Sequence, residues 1–180
     1  MQVKVLEEHG YNTSLLGISL SRNQPIENMA SVCAKLAHMQ GGHNKSLEFI
    51  SVWIDITAPR YWWQQMATYR IGSSWLSEST MYTITKRLLN QEDFESPITN
   101  EILYSLNRLI MNNNLEEVKN NLPEGFLQRR IMVTNYKALQ NIINQRKNHR
   151  LPQWQIFCEN VLNQVEHPEF LDKNLIEKEN

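Results

Sequence analysis

Residues 122–154, read as LPEGFLQRRIMVTNYKALQNIINQRKNHRLPQW, constrain the fold more than any other stretch of the chain. Pro123 and Gly125 open the stretch and Pro152 breaks it, so a regular element must form between these turn signals. Leu127 to Thr134 reads as a strand and Asn135 to Arg146 as a helix, with Leu139, Ile142 and Ile143 on one helical face. Six basic side chains, Arg129, Arg130, Lys137, Arg146, Lys147 and Arg150, decorate it. A basic element with an apolar spine can present charge to an anionic ligand, although a solvated amphipathic helix has the same composition. Planar guanidinium forks bind phosphate oxygens bidentately, which makes a strand-borne Arg129 and a helix-borne Arg146 candidates to converge on one phosphate. Lys147 and Arg150 read as ordinary surface cations. Asn135 and Asn141, six apart, fall on roughly opposite or oblique helical faces.

The remaining chain sets the frame. At 180 residues with 41% hydrophobic and 21% charged residues, it reads as one globular domain over residues 1–171 with a charged, fraying tail over 172–180. A net charge of −1 gives no global field to recruit DNA or RNA, so an anion site must come from local clustering. The two cysteines, Cys33 and Cys158, form no CxxC and read as small buried hydrophobes. No metal-ligand spacing such as HExxH occurs, so no metal is assigned, and no GxGxxG, P-loop or GxSxG appears. MQVKVLEEHG lacks an apolar leader core, and no run approaches the roughly 18 apolar residues of a membrane span. A cytoplasmic protein with no membrane partner is the expectation.

Val3, Val5 and Leu6 predict an opening strand, with His9-Gly10 as its turn. Periodicity leaves Leu15 to Leu20 open between strand and helix. Pro25 predicts the start of a helix that runs to about Met39 and is stopped by Gly41-Gly42. Phe49 to Thr57 alternates as a strand, Pro59 starts a short helix to about Ala67, and Ser73 to Thr80 reads as a polar loop. Trp53, Tyr61, Trp62, Trp63, Tyr69 and Trp75 crowd this region and suggest an aromatic core or interface. Thr99 caps a helix through Ile110, a shorter one follows near Leu115, and Pro152 starts the last. His43, after two glycines and before Asn44 and Lys45, is either a turn residue or a ligand contact.

Two of these stretches together resemble the flavin-dependent thymidylate synthases. That family's pattern of LP, arginine, asparagine, basic residue, asparagine and arginine is met without a gap by Pro123, Arg129, Asn135, Lys137, Asn141 and Arg146. Lys137 stands where arginine is usual. The AQWEI ending is similar to Pro152-Gln153-Trp154-Gln155-Ile156, and GGHNKSLEF resembles the GH…EH segment, with His43 and Glu48. Pro59 and Gln65 fall on a family proline and glutamine. The RHR signature becomes Thr68-Tyr69-Arg70, and NExSxRY becomes LSESTMY, where Ser79 and Tyr82 align, Met81 replaces the arginine and Glu78 stands in for the acid.

The resemblance covers about residues 41–156. It implies an α/β (α+β) thymidylate synthase-complementing fold, a mixed or antiparallel sheet flanked by helices, and a homotetramer with FAD and dUMP sites. Nucleotide would be held by Arg129, Arg146, Gln65, Ser79 and Glu78, and flavin by His43, Tyr69, Arg70, Asn135, Lys137 and Asn141. Arg146 is the implied catalytic cation. Thr68 and Met81 remove two charges, each worth on the order of 1.5–3 kcal/mol as a charge-assisted contact. Tyr69 keeps a ring but loses the histidine's switchable proton. The expectation is therefore a diverged member of viral, phage type that binds and sequesters a nucleotide signal; the alternative is an FAD-dependent synthase that methylates dUMP with NADPH and methylenetetrahydrofolate.

Overall fold

The computed structural model describes residues 1–39 and 42–178, without the side chains of 176–178. Along the chain run β1 (Gln2–His9), α1 (Tyr11–Arg22), α2 (Met29–Ala37), β2 (Ser51–Pro59), α3 (Arg60–Met66), β3 (Ser73–Ser77), α4 (Thr80–Thr83), α5 (Asn100–Met111), α6 (Leu115–Asn121), β4 (Leu127–Asn135), α7 (Tyr136–Arg146) and α8 (Pro152–Leu162). The strands form one sheet in the order β1-β2-β4-β3. Backbone bonds from Tyr136 to Ile50 and from Arg60 to Phe126, at opposite ends of the β2–β4 pair, fix an antiparallel register. The class is the expected one, an α/β protein with an antiparallel sheet flanked by helices.

Two compact units are distinguished: Met1–Gln2, Ile56–Thr68 and Leu76–Arg130 form the first, and Val3–Asp55, Tyr69–Trp75 and Ile131–Asn180 the second. In the first, Ile84, Leu89, Phe94, Leu106, Ile110, Val118, Leu122 and Phe126 make a hydrophobic core. Helix α5 closes it because Leu106 and Ile110 are one turn apart and face inward together. In the second, Leu139, Ile142 and Ile143 of α7 are fully buried, as are Trp154 and Phe157 of α8. Each such side chain contributes about 1.5–3 kcal/mol relative to exposure. The expected aromatic cluster is divided: Trp62 and Trp63 are buried in the first unit, whereas Trp53 sits against His9 in the second, at 5.8 Å.

Several boundaries differ from the sequence reading. Leu15 to Leu20 is helical: Leu15 and Ile18, one turn apart in α1, are buried. Ile26–Asn28 makes a 3₁₀ turn, and the helix predicted from Pro25 begins only at Met29 and ends at Ala37. Gly41, expected to stop it, lies outside the described residues. Phe49 closes a 3₁₀ turn (Lys45–Phe49), so β2 starts at Ser51. Ser73–Ser77 is a strand rather than a loop, because pairing with β4 overrides its polar composition. The Glu78 amide donates to the Arg129 carbonyl at 2.9 Å as that pairing ends.

Two residues of the supposed surface and tail are structural. Lys147 is three-quarters buried along its side chain and pairs with Asp172 at 2.9 Å. The tail therefore does not leave the core at Asp172. Burial alone would raise the Asp172 carboxyl, but the hydrogen bonds from Lys147 and from the Asn174 amide outweigh it and hold the carboxyl below its ordinary value. A depressed carboxyl adds stability that is present above the unfolded-state value, near pH 4, and is lost as pH falls through the folded value. Asp172→Asn is accordingly expected to lower stability at pH 7, with the deficit shrinking toward pH 3. Urea unfolding at the two pH values reads this difference.

Candidate functional site

The site is built on the passage from β4 into α7. Asn135 is extended, with φ −126 and ψ 166, and its Oδ1 accepts the Ala138 amide at 2.9 Å. That N-cap starts α7 and is worth about 1 kcal/mol. With Leu139, Ile142 and Ile143 committed to the core, Asn141 and Gln145 are exposed one turn apart. Arg146 ends the helix, where a cation also meets the negative end of the helix dipole. Proline at the first position of α8 then seats Trp154 completely buried.

The segment Tyr69–Trp75 belongs to the same unit. Gly72 has φ +75, and an added Cβ would stand 3.1 Å from Asn135 Nδ2 and 3.3 Å from Ala138 Cβ, so the close approach requires glycine. Thr134 Oγ1 donates to the Gly72 carbonyl at 3.1 Å and lies 2.9 Å from Ser73 Oγ. This anchorage brings Tyr69 to Arg146. Arg146 Nε donates to the Tyr69 hydroxyl at 2.7 Å, and its Cζ lies 4.7 Å from the Trp154 ring centroid and 5.4 Å from that of Tyr69. The two rings meet edge to face at 5.9 Å. Stacking on aromatic faces pre-organises a guanidinium and keeps its charge. The two terminal nitrogens of Arg146 make no hydrogen bond or ion pair among the described residues, which leaves a planar fork for an anion.

The Tyr69 hydroxyl in turn donates to Gln145 Oε1 at 2.9 Å, and Gln145 Nε2 donates to Asn141 Oδ1 at 3.0 Å. His149 closes the turn after α7: its Nδ1 accepts the Leu151 amide at 3.1 Å and its ring meets Trp154 at 6.4 Å. Desolvation, then the charges of Arg146 and Arg150, hold this histidine below its ordinary value. It is thus neutral beside the arginine at neutral pH.

The other expected site residues distribute as follows. Lys137 pairs with Glu48 at 2.5 Å, so its ammonium is already engaged. His43 is exposed on the loop before that turn and lines an open cavity of about 360 Å³ with Thr13, Ser14, Gly17, Lys45 and Phe49. Arg70 is exposed next to Tyr69. Gln65, Glu78, Ser79 and Arg129 belong to the first unit. There the Gln65 carbonyl accepts from Thr68 Oγ1 at 2.8 Å, Ser79 precedes α4, and Arg129 is exposed on β4. Thus Tyr69, Asn141 and Arg146 are brought, through Gln145, into one hydrogen-bonded set, and Asn135 closes on Gly72, three residues after Tyr69.

Sequence reasoning missed Gln145 and Gln140. Gln145 was accessible as the residue one turn beyond Asn141. Gln140 was not, because a glutamine on an apolar face carries no signal of its partners. It is buried, and its Nε2 donates to the carbonyls of Ala37 at 2.9 Å and Phe170 at 2.7 Å. Cys33 and Cys158, read as small buried hydrophobes, are both buried, and burial pushes the Cys158 thiol up to about 12. No group of His, Cys, Asp or Glu suited to a metal ion occurs among the described residues, nor any helix long and apolar enough to cross a membrane.

Comparison with known proteins extends this picture. The family described as thymidylate synthase complementing protein matches residues 11–167. Two similar solved structures are of the flavin dependent thymidylate synthase ThyX from Helicobacter pylori. One, complexed with FAD and dUMP, is 17% identical, with a TM-score of 0.78 over 96% of this chain and 99% of that one. The other, also with FAD and dUMP, is 16% identical, with a TM-score of 0.79 over 95% and 97%. No curated protein sequence matches the chain. At these identities the likeness establishes a shared fold.

Proposed function

Since this chain belongs to the thymidylate synthase complementing protein family, we propose that it binds a phosphorylated nucleotide and holds it without turning it over. The reading rests chiefly on one observation: Arg146 is stacked on Trp154 with its terminal nitrogens uncommitted. A cation fixed in this way before the ligand arrives loses little freedom on binding. The nucleotide contacts proposed are Arg146, Arg129, Gln65, Glu78 and Ser79. Sequestering of a nucleotide signal is favoured over turnover because Thr68 and Met81 stand where the family has arginines.

The flavin-side residues proposed are His43, Tyr69, Arg70, Asn135, Lys137 and Asn141. Of these, Asn141 fits FAD best, since its exposed amide nitrogen is uncommitted. Asn135 has only its Nδ2 to offer, and Lys137 must leave Glu48 or bind beside it. The neighbours solved with FAD and dUMP give the second reading its support: a flavin-dependent thymidylate synthase in which Arg146 polarises the pyrimidine. Bound reduced flavin would supply the hydride. A homotetramer in the cytoplasm is proposed in either reading. It is supported by Leu76, Met81 and Tyr82, large apolar side chains left 81%, 55% and 75% exposed on the first unit.

The purified protein decides between the readings. A colourless preparation that releases an unmodified nucleotide on heating is expected. A yellow protein with a flavin absorption band that releases tritium from dUMP, given NADPH and folate, would overturn sequestering in favour of synthesis.

A further inference from the structure

The hydrogen bonds that join Arg146 to Asn141 run in one direction only. Arg146 Nε carries a hydrogen and no lone pair, so the Tyr69 oxygen must accept from it. The single Tyr69 hydrogen is then given to Gln145 Oε1. With its oxygen used, Gln145 turns its amide nitrogen to Asn141 Oδ1. Asn141 is left with its two N–H donors facing solvent, as Arg146 is left with its terminal ones. Asn141 Oδ1 keeps a second lone pair but is turned toward Gln145, so the atoms these two residues hold out to a ligand are the Asn141 amide nitrogen and the Arg146 terminal nitrogens, all donors. Gln145 and Asn141 are exposed, and an exposed amide without such a chain turns freely between donor and acceptor.

We infer that Tyr69 and Gln145 are positioning residues that polarise the Arg146–Asn141 face, making it selective for ligand edges that carry only acceptors, such as ring carbonyls and phosphate oxygens. This rests on the proposed nucleotide site and extends it from Arg146 to Tyr69 and Asn141, which the family resemblance alone gives to flavin. A uracil-type edge, with its carbonyl oxygens, satisfies the face, whereas a cytosine-type edge sets an amino group against donors. Tyr69 also explains its own presence: a phenol can accept from arginine and donate onward through one oxygen, whereas an imidazole would lose its acceptor role on protonation.

The test titrates dUMP and dCMP, which share sugar and phosphate, against the full chain by calorimetry. The wild type is expected to favour dUMP about tenfold, the cost of one donor left facing a donor once the ligand covers it. In Gln145→Glu the new carboxylate only accepts, so Asn141 must donate to it and turn its oxygen outward. The preference is then expected to vanish or invert. In Tyr69→Phe the relay loses its middle hydrogen and the preference shrinks. Equal affinities in the wild type, or an unaltered ratio in both variants, would overturn the inference. Side-chain amide NMR of the free proteins supplies a ligand-independent arm: the Asn141 NH₂ pair is expected to shift in Gln145→Glu. A shift without binding of either nucleotide would sink the nucleotide site but keep the relay; no shift would sink the relay itself.

Discussion

Arg146→Ala is expected to lower affinity for dUMP about hundredfold or more, since each charge-assisted bond of a bidentate pair is worth roughly 1.5–3 kcal/mol. The fold should survive. Arg146 is half-exposed at the end of α7, and Trp154 beneath it stays buried by the rest of α8. What the fold loses is a cation–aromatic stack worth about 0.5–2 kcal/mol, or a few degrees in Tm for a chain of this size. Arg150→Ala is the control: that side chain is exposed and takes no part in the stack, so its removal should leave affinity unchanged. Calorimetry with circular dichroism on both variants checks the pair. Equal affinities of Arg146→Ala and wild type would refute the arginine fork. Arg129→Ala reports separately on the contact proposed for the first unit.

Gly10→Ala should produce the largest loss of stability of any glycine-to-alanine change among the described residues. Gly10 turns β1 into α1 with φ +102, a backbone shape that disfavours any L side chain. Its carbonyl accepts the Ser14 amide at 2.8 Å and so starts the helix. A Cβ there would fall 2.0 Å from the Phe49 carbonyl oxygen, a backbone atom that cannot swing aside. Strained backbone and overlap together are expected to cost about 3 kcal/mol or more. Gly17, inside α1, has nothing within 4 Å of an added Cβ. Gly17→Ala should therefore stabilise, by about 0.5–1 kcal/mol, through helix propensity. Opposite shifts in Tm from one chemical change are the outcome to look for; a matching shift in both would discard the account of Gly10.

Local signals in the sequence carried most of the fold. Asn135 before an apolar-periodic run and Pro152 at a helix start are decided within a few residues of themselves, and both helices lie where those residues put them. Strand β3 was illegible for the opposite reason: SSWLS has no strand composition, and its state is set by pairing with β4, distant in sequence. The candidate site divides in the same way. Arg146, Asn135 and Asn141 were visible as a spaced pattern on one helix. That Tyr69 holds Arg146, and that Lys147 holds Asp172, depends on contacts closed only by the fold. A basic residue looks the same in sequence whether it faces water or a carboxylate.

The Gln140 amide ties together two segments: the end of α2, through the Ala37 carbonyl and, at 3.3 Å, His38 Nδ1, and the chain near the C-terminus, through the Phe170 carbonyl. Phe170 is buried, and so is Asp172 beyond it, yet the family match ends at residue 167. A fragment trimmed to the matched region would thus strip the Phe170 carbonyl from Gln140 and would leave Lys147 without its carboxylate. For this chain the evolutionary unit and the folding unit have different edges, and any minimal version of the protein has to be cut by the second.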